Sequence, residues 1–123
     1  LNYSFSSSLE TFLFAENYFP SLSEPLFLNK MPKLIYLNLK NNSIFNLNNK
    51  KVFDNMPNLK ELVLDYNYLS FSNLDQYESL KLLGPTLTDL SMNNAFLYRF
   101  NGVNNIEQSV VIWNELKSLL SLS

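Results

Sequence analysis

Glu61 and Asp65 are a pair of side chains whose type and close spacing could support chemistry. Two neighbouring carboxylates can act as a general acid and base, or can hold a cation. The 123 residues include no histidine and no cysteine, which excludes a serine–histidine–aspartate triad, a cysteine nucleophile, a structural zinc site and any disulfide among them. Two glycines are too few for a phosphate-binding loop. We therefore predict a protein that is not an enzyme, with no cofactor, no metal and no small-molecule substrate.

The composition is that of a folded domain with little net charge. The chain is 46% hydrophobic and 16% charged, with a net charge of −2, so disorder is not expected. No basic run is present, which argues against nucleic acid or an anionic membrane as a partner. No apolar stretch approaches the roughly 18 residues that a membrane span needs. The chain starts with Leu1 and without a signal-peptide pattern, so we expect an interior piece of a longer protein.

The segment that carries both carboxylates is one copy of a repeat. Residues 59–69 read LKELVLDYNYL, residues 34–44 read LIYLNLKNNSI, and residues 9–19 read LETFLFAENYF. Each copy has apolar side chains at repeat positions 1, 4, 6 and 11 and asparagine at position 9, and the copies are 25 residues apart. A fourth copy, residues 87–97, starts 28 residues further on and has Ala95 at position 9. We predict one domain over 1–123, with coils that start near 9, 34, 59, 87 and, for an incomplete last copy, 116–119.

This pattern resembles the leucine-rich repeat, whose consensus runs L-x-x-L-x-L-x-x-N-x-L. The resemblance covers about residues 7–99 and implies an α/β solenoid, a horseshoe with a concave parallel β-sheet and short convex helices or irregular turns. Side chains alternate along each short strand, so positions 4 and 6 are expected to point into the core. At position 9 an amide can donate and accept hydrogen bonds where the backbone turns inward. We therefore predict a structural ladder of Asn17, Asn42 and Asn67 between neighbouring coils.

The segments between the strands repeat as well. NKMPKL at 29–34 and DNMPNL at 54–59 lie 25 residues apart, so Met31 matches Met56. Proline and the lack of a clean helical period favour short helical or irregular turns here. An aromatic ligand-binding box is the alternative to core packing for the two phenylalanines of these segments. We predict that the apolar pairs before each methionine fill the core: Phe27, Leu28, Val52 and Phe53.

Two longer apolar stretches have a helical spacing. The first, at 74–84, is predicted to be a short helix ended by Gly84 and Pro85, which explains the 28-residue step between the third and fourth copies. The second, at 106–120, is predicted to be a longer helix that leads into a further repeat.

The side chains at repeat positions 3, 5, 7 and 8 are predicted to be exposed along the strands. Tyrosine is enriched at protein interfaces, and Glu61, Asp65 and Asp89 make this surface acidic. An acid–base or cation site is disfavoured because an open solenoid face does not exclude water, and ordinary solvated side chains are the remaining alternative. We predict a concave face that binds a partly basic protein ligand or receptor partner through Tyr36, Asn38, Lys40, Glu61, Val63, Asp65, Tyr66 and Asp89.

The repeat length and two sequons bear on the cellular compartment. Asn2-Tyr3-Ser4 and Asn41-Asn42-Ser43 could each carry a glycan at the first asparagine in a secreted protein. Phe53, Met56 and Leu59 fit the F-x-x-L-x-x-L phrase of the typical extracellular repeat class, which includes Toll-like receptors and adhesion and guidance proteins. This resemblance implies a glycoprotein at the cell surface or secreted, such as a receptor ectodomain in innate immunity or cell adhesion. Dimers formed through flanking repeats are compatible with that class.

An intracellular adaptor is the alternative. Phosphatase regulators have repeats of about 22 residues, which fits this chain less well. Adaptors of mRNA export tolerate irregular coils and resemble the phrase MPKLIYLNLKNN, but they would bind RNA or export partners through basic surfaces. The acidic face predicted here does not favour that function.

Overall fold

The computed structural model describes residues 6–17, 25–45, 47, 51–69, 79–80, 83–93 and 95. Within these residues the chain forms one parallel sheet in the order β1-β2-β3-β4. The strands are β1 (Thr11–Leu13), β2 (Tyr36–Asn38), β3 (Glu61–Val63) and β4 (Asp89–Ser91). The parallel sheet expected from the repeat is confirmed.

The register of the sheet follows the spacing of the repeat. Phe12 pairs with Leu37, Leu37 with Leu62, and Leu62 with Leu90. Parallel strands that follow one another in the chain need a connection that returns to the start of the next strand. Each strand and its connection therefore make one coil, and each coil packs against its neighbours, as in a repeat solenoid.

The core lies between the sheet and the connections. At repeat positions 4 and 6, Leu37, Leu39, Leu62 and Leu64 are fully buried, because these side chains alternate with the exposed ones along each strand. Positions 1 and 11 and the connections complete one apolar cluster, which contains Leu34, Ile44, Leu59, Leu69, Phe27, Met31, Val52, Phe53 and Met56. The first coil is less enclosed, with Leu9, Phe12 and Phe14 only partly buried against this cluster.

The connections differ from the predictions in one residue. Phe27 and Phe53 are buried, which supports core packing over an aromatic ligand-binding box. Leu28 was predicted to be a core residue and this is wrong, since its side chain is 58% exposed. Only one member of that apolar pair faces inward.

The described connections contain turns and no α-helix. Residues 31–34 and 56–59 form equivalent turns, in which the N–H of Leu34 donates to the carbonyl of Met31 and the N–H of Leu59 donates to that of Met56. Irregular turns are thus what the described part of the chain shows between β1 and β3. The predicted helix at 106–120 lies outside the described residues, and so does most of the one at 74–84.

Asparagine side chains at repeat position 9 join neighbouring coils. The Oδ1 of Asn42 accepts the backbone N–H of Asn17 at 2.9 Å, and its Nδ2 donates to the carbonyl of Phe14 at 2.9 Å. Both bonds reach the preceding coil. Asn42 is fully buried, and its amide satisfies two backbone groups that have no backbone partner in the neighbouring coil.

Asn67 repeats this arrangement one coil later with more bonds. Its Oδ1 accepts the N–H groups of Asn42 and Ile44, each at 3.0 Å. Its Nδ2 donates to the carbonyl of Leu39 in the preceding coil at 3.1 Å and to that of Leu64 in its own coil at 2.8 Å. Among the described residues the backbone N–H of Asn67 has no acceptor. The equivalent acceptor in the other coils is the side-chain amide of the next position-9 asparagine, and Ala95 at that position has none.

Asparagines also join the connections, which the repeat pattern did not indicate. The Nδ2 of Asn55 donates to the carbonyl of Phe27 at 2.8 Å, and the Nδ2 of Asn58 donates to that of Pro32 at 2.7 Å. Each bond again spans from one coil to the preceding one. The stack is therefore held by amides on both sides of the core.

We predict that Asn67→Ala lowers the free energy of unfolding by several kcal/mol, because each buried group left without a partner costs about 1–3 kcal/mol. Asn17→Ala is the matched control. Asn17 is exposed, and its Nδ2 donates only to carbonyls of its own coil, so a change within about 1 kcal/mol is expected. Urea denaturation of the full-length protein measures both values, and equal losses for the two variants would contradict the ladder.

Candidate functional site

The side chains at repeat positions 3, 5, 7 and 8, which are exposed or half-buried, form one surface, here named the strand face. Because the strands pair in register, residues at the same repeat position lie next to each other on neighbouring coils. The structure thus brings together all eight residues predicted to bind a ligand. The described members are Thr11, Leu13, Ala15 and Glu16 of the first coil, Tyr36, Asn38, Lys40 and Asn41 of the second, Glu61, Val63, Asp65 and Tyr66 of the third, and Asp89, Ser91 and Asn93 of the fourth.

Glu61 and Asp89 face each other across β3 and β4. Their Cα atoms are partners in the sheet, and both side chains are exposed. Asp89 accepts a hydrogen bond from the hydroxyl of Thr88 at 3.0 Å, and neither carboxylate forms an ion pair within the described part of the chain. Like charges at paired positions repel each other. This end of the strand face is therefore acidic and lacks a counter-charge of its own.

Asp65 is bonded inside the domain. It is half-buried, and its Oδ1 accepts the hydroxyl of Ser91 at 2.6 Å and the backbone N–H of Asn93 at 3.0 Å. These two bonds tie the residue after β3 to the end of β4. Asp65 and Glu61 are also four residues apart along extended chain, about 13 Å, which is too far for one cation or one proton transfer. The carboxylate pair seen in the sequence is thus not a catalytic pair.

Lys40 lies over an aromatic ring instead of pairing with a carboxylate. Lys40 and Asp65 occupy repeat position 7 on neighbouring coils, where a salt bridge between the strands would be expected. The structure instead places the Nζ of Lys40 5.4 Å from the ring centroid of Tyr66, a cation–π contact. Among the described residues Lys40 therefore has no anionic partner, because Asp65 bonds towards β4.

The backbone at repeat position 8 is left-handed in three successive coils. The φ angles are 62° at Glu16, 56° at Asn41 and 55° at Tyr66. A left-handed conformation costs a non-glycine residue about 1–2 kcal/mol, and asparagine tolerates it best. Glu16 and Tyr66 are therefore residue types that disfavour this backbone conformation, whereas Asn41 tolerates it. Spacing alone did not indicate this feature.

Other exposed apolar side chains lie at and beyond the strand face. Leu13 on β1 is 68% exposed and makes the first coil the apolar end of the face. Phe45 and Tyr68 are also about half exposed, but they stand at repeat positions 12 and 10, beyond the strands. These two aromatic residues were not among the predicted contacts, since they fall outside the alternating part of the repeat.

A separate cleft of about 250 Å³ lies among the connections. Lys30, Asp54 and Asn55 supply its polar groups, and Phe53, Met56, Pro57 and Leu83 supply the rest of its lining. It shares no residue with the strand face. The described residues contain no group of three or more metal-ligating side chains, and no helix among them is long and apolar enough to cross a membrane.

A family comparison now agrees with the geometry. The family model described as Leucine rich repeat matches residues 7–69, just over half of the chain. The chain belongs to the leucine-rich repeat family. The match spans β1, β2, β3 and all three position-9 asparagines of the predicted ladder. No curated protein and no solved structure gave a match. Leucine-rich repeat domains generally bind proteins, and the fold is typically non-catalytic.

We predict that the left-handed backbone at position 8 makes stability sensitive to the residue type at Tyr66. Tyr66→Asn should match or exceed the wild-type free energy of unfolding, because asparagine tolerates positive φ. Tyr66→Ile should lower it by about 1–2 kcal/mol or more, since a β-branched side chain is the least tolerated there. Both variants remove the ring, so chemical denaturation of the pair isolates the backbone effect. Equal stability of the two variants would contradict the left-handed conformation.

Proposed function

We propose that this leucine-rich repeat domain is a non-catalytic recognition module that binds a protein ligand or a partner subunit with its strand face. One observation carries the proposal: the face is a set of exposed and half-buried side chains on a sheet whose backbone bonds are already made within the stack. The backbone of such a surface is already ordered before a partner binds, so less conformational entropy is lost when the complex forms. In the proposed complete array the solenoid curves so that the strand face is concave.

Tyr36 and Tyr66 are proposed as the main contact residues. Tyrosine gives a large contact area for little loss of conformational freedom and is enriched among residues that dominate binding energy. Tyr66 is half exposed although its backbone is in an unfavourable conformation. Tyr36 is paired with Glu61, and Asn38 is paired with Val63 two residues further along the strands, towards Tyr66. We propose Asn38 and Val63 as lesser contacts.

The proposed setting is the cell surface or the extracellular space, in a receptor or adhesion ectodomain. The 25-residue coil and the phrase Phe53-x-x-Met56-x-x-Leu59 support this, as does Asn41, which is exposed at the end of the second coil. The side chain of Asn41 makes no hydrogen bond to another described residue, whereas Asn42, next to it in the same sequon, is buried and fully engaged. Asn2, in the other sequon, lies outside the described residues.

We predict that Tyr66→Ala weakens partner binding by at least tenfold while Tyr68→Ala leaves it within twofold. The two tyrosines are equally exposed, at 50% and 51%, but only Tyr66 belongs to the strand face, and a dominant contact contributes at least about 2 kcal/mol. The measurement is biolayer interferometry with partners found by screening the full-length protein against arrays of secreted and membrane proteins. Circular dichroism confirms that both variants fold. If every partner tolerates Tyr66→Ala, the strand face is not the binding surface.

We predict an N-linked glycan on Asn41 in the protein isolated from its native source. The measurement is peptide mass spectrometry with and without glycosidase treatment, and Ser43→Ala is the control, because it removes the sequon while leaving Asn41 in place. A glycan would establish passage through the secretory pathway. Bare asparagines at positions 41 and 2, in a protein without glycans elsewhere, would favour the intracellular adaptor instead.

A further inference from the structure

The charges of the strand face divide into those that the domain uses itself and those that it leaves available. Asp65 is engaged by Ser91 and Asn93. Glu16, Glu61, Asp89 and Lys40 have no ion pair among the described residues. Glu61 and Asp89 lie at the starts of β3 and β4, whereas Glu16 and Lys40 lie beyond the ends of β1 and β2. A charge without a counter-charge on an interaction surface selects partners through electrostatic complementarity.

We propose that the strand face binds a protein segment with an acidic side chain that docks on Lys40 and Tyr66 and a basic side chain that docks near Glu61 and Asp89. This inference rests on the proposed function and adds the chemistry of the partner. Nucleic acid does not fit it, because phosphates would meet two exposed carboxylates. An exclusively basic partner does not fit it either, because Lys40 would be left without a counter-charge.

Lys40 and Tyr66 form the anionic subsite. The ring of Tyr66 holds the lysine ammonium group within cation–π distance, so the cation is placed before any partner arrives. A partner carboxylate could then form an ion pair with Lys40, which Asp65 does not form. Arrangement before binding reduces the entropy lost when the complex forms.

The two subsites set the spacing of the partner charges. Lys40 stands at repeat position 7 of the second coil and Glu61 at position 3 of the third. Four residues along a strand and one strand across correspond to a separation of about 14 Å. Asn38 and Val63, at position 5 on these two coils, lie between the subsites and are half-buried. The partner therefore needs a neutral stretch between its basic and acidic side chains.

Asp65 is a positioning residue in this arrangement. Its bonds to Ser91 and Asn93 turn its carboxylate away from Lys40, which keeps the cation available. Asp65→Asn retains an Oδ1 that can accept both bonds and removes only the charge. This variant therefore separates the structural role of Asp65 from a direct electrostatic contact.

The test uses a phage-displayed library of 12-residue peptides selected on the immobilised full-length protein, with synthetic fluorescent copies of the enriched peptides as probes. Anisotropy gives the affinity of each peptide and of its copies with single acidic residues replaced by glutamine or single basic residues by methionine.

On the wild type, loss of the acidic residue should weaken binding about tenfold, as for a close interfacial charge pair. On Lys40→Met the same replacement should change affinity less than twofold. Glu61→Gln together with Asp89→Asn should abolish the effect of the basic residue, and Lys33→Met, at an exposed residue outside the strand face, should leave both effects unchanged.

The outcomes distinguish this inference from the proposed function. One outcome is a peptide that requires Tyr66 yet loses the same affinity on the wild type and on Lys40→Met when its acidic residue is replaced. That result would overturn the charge assignment alone. A greater effect of Asp65→Asn than of Glu61→Gln with Asp89→Asn would overturn it as well. Peptides that tolerate Tyr66→Ala, or the absence of any enriched peptide, would count against the strand face as a binding surface and so against both.

Discussion

The domain depends on finding hydrogen-bond partners for the backbone where each strand ends. At that point the carbonyl at repeat position 6 and the N–H at position 9 bond to asparagine side chains and not to the backbone of the next coil. An asparagine side chain can donate and accept at once, and Asn42 and Asn67 use this capacity to bond the preceding coil. Aspartate or leucine of similar size could not do both. The position-9 asparagines therefore add side-chain bonds between coils to the backbone bonds of the sheet.

The same turn determines what the domain displays to a partner. Glu16, Asn41 and Tyr66 each precede a position-9 asparagine, and each has a positive φ angle. The conformation recurs in three coils with three different residue types, so it belongs to the coil and not to one side chain. The side chain at position 8 is consequently placed at the edge of the strand face by a structural requirement. A residue chosen there for binding, such as Tyr66, has a conformational cost that the buried asparagine beside it helps to offset.

The sequence predicted the sheet better than the site. The Leu37, Leu62 and Leu90 register follows from local alternation and a regular spacing, both of which a single chain displays. The exposure of Leu28 does not follow from the sequence pattern. The packing of neighbouring coils determines which member of an apolar pair turns inward. Similarly, the repeat position of Asp65 did not indicate that its carboxylate accepts hydrogen bonds from Ser91 and Asn93, 26 and 28 residues later. Partners that distant are set by the stacking of coils.

The two carboxylates that first suggested chemistry, Glu61 and Asp65, differ in whether the domain itself supplies their hydrogen-bond partners. Glu61 and Asp65 lie on one strand and its exit, with the same charge, yet only Asp65 meets donors from the next coil. The difference arises because the fourth coil supplies two donors to Asp65, the hydroxyl of Ser91 and the N–H of Asn93, but supplies another acid, Asp89, beside Glu61. Membership of the leucine-rich repeat family accounts for the coil and for protein binding in general. The chemistry of the partner must instead come from those exposed groups that neighbouring coils leave unsatisfied.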